Sequence, residues 1–122
     1  VNWLSENELA WAAGFIDGEG YIKWTVDKRG YGRLELDVAQ VVKTPLERLQ
    51  KIFGGGLYGP YQYKTNKQPH YRWILHGFAA REAVIRMLPY FSVKEQQARK
   101  ALDSFHDYQE EPNKKTGPKA KS

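Results

Sequence analysis

The chain has no cysteine, a single methionine and no long uncharged apolar run. It can therefore build no disulfide and no thiolate metal site, and a reducing compartment suits it. Without a long apolar run there is no candidate transmembrane helix. The first residues carry no signal-peptide pattern, so the sequence reads as soluble and intracellular, with no membrane partner. The three histidines, His70, His76 and His106, lack ligand spacing to one another, and no metal is assigned to them. Positive charge and aromatic rings are plentiful. Over 122 residues the net charge is +5, the pI is near 9.4 and aromatics make up 14%. That length is one domain with a core of its own. The balance points to a polyanion partner, most simply nucleic acid, although a basic soluble domain would have the same composition.

The most unusual stretch runs from Leu9 to Ile22. Ser5 and Glu8 form a capping box and Leu4 and Leu9 a hydrophobic staple, so a helix starts near Glu6 and runs to about Ile16. Ala10, Ala13 and Gly14 gather on one of its faces, where another backbone can come close. The helix breaks in the Gly18/Gly20 region, and two carboxylates, Asp17 and Glu19, sit at the break. A helix C-terminus is the negative end of the dipole and repels such groups. Carboxylates placed there anyway point to a cation.

Beyond the break, Tyr21 to Asp27 alternates as a strand with Ile22, Trp24 and Val26 on one face. Lys28 to Gly32 is a turn, and Arg33 to about Val42 is the return strand, with Leu34, Leu36 and Val38 apolar. Thr44-Pro45-Leu46-Glu47 is a second capping box, opening a helix that Gly54-Gly55-Gly56 stops. A second hairpin takes Leu57 to Lys64 out and His70 to His76 back. A helix from Phe78 to about Leu88 closes at Pro89, and Ser92-Val93-Lys94-Glu95 opens a last helix to about Tyr108. The expected fold is α+β in the order α-β-β-α-β-β-α-α, with a four-stranded antiparallel sheet covered by helices on one face. Residues 1–109 form the domain, and 110–122 form a basic, flexible tail with Lys114, Lys115, Lys119 and Lys121. The bare sheet face carries Lys23, Thr25, Arg33, Glu35, Asp37 and Arg72, flanked by Arg29 and His76 and, in the second hairpin, Tyr61, Tyr63 and Lys67. A β-ribbon with such a face fits a DNA major groove; an ordinary solvated sheet face looks the same.

Ala12-Ala13-Gly14-Phe15-Ile16-Asp17-Gly18-Glu19-Gly20 resembles the signature of the LAGLIDADG homing endonucleases, with Ala for the first Leu, Phe for the fourth residue and Glu for the last acid. The element order over residues 5–108, the Gly54-Gly55-Gly56 stop and the Leu88-Pro89-Tyr90-Phe91-Ser92-Val93-Lys94 segment are similar to a single-motif member. The resemblance implies a symmetric homodimer whose motif helices meet on the two-fold through Ala10, Ala13, Gly14 and Asp17. It implies Glu19, with Gly18 beside it, as the metal ligand for Mg²⁺ or another divalent cation such as Mn²⁺. Asp17 would be a supporting residue. Gln40 aligns with the polar residue that positions the attacking water, Lys94 with the basic residue near the scissile phosphate, and Lys43 with a second basic residue. The sheet becomes a saddle on DNA: Lys23, Arg33 and Arg72 donate to guanine or phosphate, and Glu35 and Asp37 accept from cytosine unless they orient an arginine.

The function this implies is intron homing: a sequence-specific, metal-dependent double-strand break in a long, pseudo-palindromic DNA site. The setting would be the cytoplasm of a prokaryote or an organelle, with the host intron RNA as a further partner. The alternatives are a non-cleaving protein on the same fold, either an RNA-splicing maturase or a DNA-binding regulator, and a protein-interaction α+β domain.

Overall fold

The computed structural model describes residues 5–62, 65 and 68–110. Tyr63, Lys67, Leu4 of the expected staple and the tail lysines lie outside the described residues. The order is α1 (Glu6–Glu19), β1 (Gly20–Val26), β2 (Gly32–Gln40), α2 (Thr44–Phe53), β3 (Gly56–Tyr61), β4 (His70–His76), α3 (Phe78–Met87), a 3₁₀ turn (Leu88–Tyr90) and α4 (Glu95–Glu110). The expected α+β architecture is present, and the sheet is antiparallel in the order β1-β2-β4-β3.

Alternation decides which face is covered. Leu36 sits between Ile22 and Leu75, and Val38 opposes Trp73. Helices bury this face, with Leu9, Ala12, Ala13 and Ile16 of α1 following the helical repeat onto it. The Trp73 indole is fully buried, and its Nε1–H donates to the Gly54 carbonyl at 2.8 Å. Among the described residues no helix is long and apolar enough to cross a membrane.

Several boundaries differ from the sequence reading. The first helix continues past Ile16 to Glu19, because Gly18 stays helical and the Gly20 N–H still closes on the Ile16 carbonyl. No loop follows: Gly20 is both the helix cap and the first residue of β1. A Cβ there would lie 2.9 Å from Val38 Cγ2, so glycine lets the helix end pack directly on β2. Neither the second nor the third capping box forms. Thr44 is already helical, and the Lys43 carbonyl accepts from the Leu46 and Glu47 N–H groups. The last helix begins at Glu95 rather than near Ser92, because the N–H groups of Ser92, Val93 and Lys94 turn towards a distant acceptor. The outgoing strand of the second hairpin ends at Tyr61, after a register shift beyond Tyr58.

Candidate active site and nucleic-acid interface

The absence of a loop between α1 and β1 fixes the site. Glu19 is the last helical residue, exposed at one end of the sheet. Gln40 ends β2 on the apolar-face register, which aims it at that same helix end. Its Nε2 donates to Glu19 Oε1 at 2.8 Å. A polar residue on the apolar-face register is thus explained by its partner.

Asp17 does something different. Its Oδ2 accepts from the Ser92 N–H at 2.7 Å and the Val93 N–H at 3.2 Å, and its Oδ1 from the Lys94 N–H at 2.8 Å. It is a long-range cap on the turn that leads into α4. Partial burial pushes the Asp17 pKa up, but hydrogen bonds from Lys94, Ser92 and Val93 and the Lys94 charge outweigh it, leaving it below the usual carboxylate value. The carboxylate is therefore engaged within its own chain. The Lys94 ammonium donates to the Asp17 carbonyl at 2.7 Å, so a cation lies at the negative end of α1, two residues from Glu19.

Replacing Asp17 by alanine should lower unfolding stability by about 1–2 kcal/mol, the usual scale for a lost cap, read by denaturant titration in metal-free buffer. The folded pKa lies below an unfolded value of about 3.9, so the cap's contribution is complete above that pH and is lost as pH falls through the folded value. Wild type and variant should converge in stability as the buffer is taken below pH 4 or so.

Lys43 is less closely tied to this centre. Its ammonium lies 4.0 Å from the Glu47 carboxylate and 5.5 Å from the ring of Tyr71, the residue paired with Gln40 across the sheet. Among the described residues no three His, Cys, Asp or Glu side chains cluster to hold an ion. The donors at the helix end are all oxygen: the Glu19 carboxylate, and the carbonyls of a last turn that includes Gly18, where intrahelical N–H partners run out. A magnesium-like ion is commonly held by one or two carboxylates together with substrate phosphates and water. These residues fit such an ion shared with a phosphate, and do not form a closed cage.

The helix face opposite the core carries Asn7, Ala10, Gly14 and Gly18, all exposed. A Cβ at Gly14 or Gly18 would meet nothing within 4 Å. Ala13, expected to join this stripe, is instead wholly buried in the chain's own core and offers no surface to a partner. It lies one position round the helix from Gly14 and three from Ala10, on the flank that turns inward. Beside the stripe, Trp11 stacks on Phe15 at 5.4 Å, and the Arg48 guanidinium lies 4.0 Å from the Trp11 ring.

The open sheet face is assembled by register. Lys23 opposes Glu35, Thr25 opposes Arg33, and Glu35 also faces His76. Tyr61, beyond the register shift, pairs with His70. Arg29 sits in the β1–β2 turn, where it bonds Asp27 at 3.1 Å and covers the Tyr31 ring. The Tyr31 N–H, reinforced by Arg29, holds the Asp27 carboxyl below its usual pKa. Asp37 is the exception on this face: it is 2% exposed and bonded to Arg72, so it cannot serve as an outward acceptor for cytosine. Sequence reasoning also missed two rings here. Tyr21 is 65% exposed beside Lys23, and Tyr58 pairs with Arg72 at 49% exposure. Alternation already sets Tyr21 on this face, without a contact assigned to it; Tyr58 needed the register of the second hairpin.

Comparison with known proteins agrees with this arrangement. A family model described as LAGLIDADG endonuclease matches residues 12–111. No curated protein matches the sequence. Among solved structures, the chain is similar to the homing endonuclease I-CvuI in complex with the I-CreI target in 2 mM Mg, its DNA not cleaved. The TM-score is 0.70 at 27% identity, over 90% of this chain and 71% of that one. I-CvuI with its own target in 2 mM Ca gives 0.68 at 26%, with the same coverage. The archaeal intron-encoded I-Vdi141I complexed with DNA shares the fold, with a TM-score of 0.62 at 16% identity over 84% of this chain and 70% of that one. With the motif at the end of α1 and the model match running through nearly all the described elements, this chain belongs to the LAGLIDADG endonuclease family.

Proposed function

We propose that the chain is one half of a homodimeric, divalent-metal-dependent endonuclease that makes a sequence-specific double-strand break in a long, pseudo-palindromic DNA site. The observation that carries this is the exposed Glu19 carboxylate, held by Gln40 at the end of a helix whose free face is made of Ala10, Gly14 and Gly18. Two such helices can approach closely through residues without side-chain bulk, and a two-fold there brings two Glu19 groups to one place. Duplex DNA has two strands to cut, so function and symmetry require each other.

Hydrolysis forms a bond from a water oxygen to phosphorus and breaks the bond to the 3′ oxygen. A divalent ion bound by Glu19 and the phosphates would supply Lewis-acid activation of that water and stabilise the leaving oxygen. Gln40 fixes the orientation of Glu19 and presents an amide on the same side. Lys94, seated by the Asp17 turn, sets a positive charge beside the place where a phosphate would gather negative charge. The open face, with Lys23, Arg33, Arg72, Thr25, His76 and the rings of Tyr21 and Tyr58, reads the groove.

The test uses a library of randomised DNA duplexes. Binding in Ca²⁺ should select a motif with two inverted halves, and exchange into Mg²⁺ should cut it. Selection of a motif that Mg²⁺ never cuts would move the protein to the DNA-binding regulators, and preference for structured RNA would move it to the maturases.

A further inference from the structure

Asp37 is the only buried charged or polar residue among those described, and it lies on the face proposed to meet DNA. Its two oxygens engage the Nε and Nη2 of Arg72, the first at 3.2 Å. The Lys23 ammonium is 3.6 Å from Asp37 and 3.6 Å from Glu35, and Arg33 lies 3.4 Å from Glu35. Three cations are thus threaded on two acids across β1, β2 and β4. Exposure within the pair is uneven: the Arg72 side chain is 35% exposed and that of Asp37 3%. Stability is a weak reason for such an acid, since replacing a buried ion pair as a whole by apolar residues of similar volume is often neutral or stabilising. The position would accept one, because its cross-strand neighbour on this face is Ile74. Retaining a carboxylate there therefore serves its partner.

We propose that Asp37 is a positioning residue that locks the Arg72 guanidinium in one orientation, so that Arg72 reads a single base pair in each half-site, most simply a guanine through its O6 and N7. An arginine with an acid along its Nε–Nη2 edge loses the freedom to swing onto a phosphate, and discrimination between bases depends on a fixed donor pair. Asp37 also lowers the charge of the cluster, which restrains sequence-independent attraction to phosphates. This inference rests on the DNA-binding reading above and goes beyond it by naming the residue that sets specificity.

The experiment is bind-and-sequence selection from a randomised duplex library, using the full chain, with thermal unfolding measured on every variant. Asp37→Asn and Arg72→Lys should each flatten the preference at the same base pair of both half-sites by about ten-fold, leaving the rest of the motif intact. Asp37→Asn should also bind non-specific DNA more tightly, with a steeper salt dependence. A folded Asp37→Asn protein that keeps the wild-type preference at every position overturns the inference, as does uniform weakening of the whole motif. If Asp37→Asn does not fold, Arg72→Lys decides. Loss at one base pair with an unchanged melting temperature supports the fixed fork, and an unchanged motif overturns it. A wild-type protein that selects no motif overturns the function reading itself, and the inference with it.

Discussion

Glu19→Gln should cut its DNA about a thousand-fold more slowly or worse, some 4 kcal/mol of transition-state stabilisation, while binding the same site as tightly as wild type or more so. The two halves of that expectation have one cause. A carboxylate near phosphates is repulsive until a divalent ion lies between them, so the neutral amide relieves repulsion in binding and removes the ligand from catalysis. The substitution is nearly isosteric, and the side chain it changes is exposed, with Gln40 as its described partner. Folding should therefore be unaffected, and the loss can be assigned to chemistry. Gel-shift affinity in EDTA alongside single-turnover cutting in Mg²⁺ separates the two effects. Full activity in the variant would remove Glu19 from the mechanism.

The second large effect is expected at Gly14. Glycine inside a helix costs roughly 0.5–1 kcal/mol relative to alanine, so its presence in the middle of α1 needs a reason. The chain's own structure supplies none, since a Cβ there would meet open space. Gly14→Leu should therefore leave the monomer as stable as before, or more so, yet abolish dimerisation by wedging the two helices apart. Light scattering should give a monomer mass, and cutting of a selected site should be lost with it. Ala13→Leu is the matching control with the opposite signature: that residue is wholly buried, so overpacking should cost about 1–3 kcal/mol of stability. A dimer that survives Gly14→Leu would place the interface elsewhere.

Much of this fold was legible because it rests on local chemistry. The strand alternation around Ile22, Leu36 and Trp73 fixed which face is buried, and the Ser5 cap forms as read, with Glu8 N–H to Ser5 Oγ at 3.1 Å. Gln40 stands out because a polar side chain breaks the apolar register of Leu34, Leu36 and Val38. What escaped depends on groups distant in sequence. Ser92 to Glu95 carries a good local cap signal, but Asp17, a charged acceptor 75 residues away, takes the N–H groups instead. A carboxylate held by three donors outcompetes one serine hydroxyl. Asp37 belongs to the same class. Alternation put it on the polar face, and only the pairing of β2 with β4 shows that Arg72 covers it. Ala13 and Ala10 differ only in the side of α1 that the sheet happens to occupy, which composition cannot reveal.

The most direct measurement is of strand breaks and chain count in the same complex. The selected duplex, labelled on both strands, is incubated under single-turnover conditions with the 122-residue chain in Mg²⁺ and in EDTA, and the mass of the complex is recorded. The expected result is two copies of the chain per duplex, both strands broken within one site, and no break in EDTA. One copy on the DNA, a break in one strand only, or equal cutting without metal would contradict it.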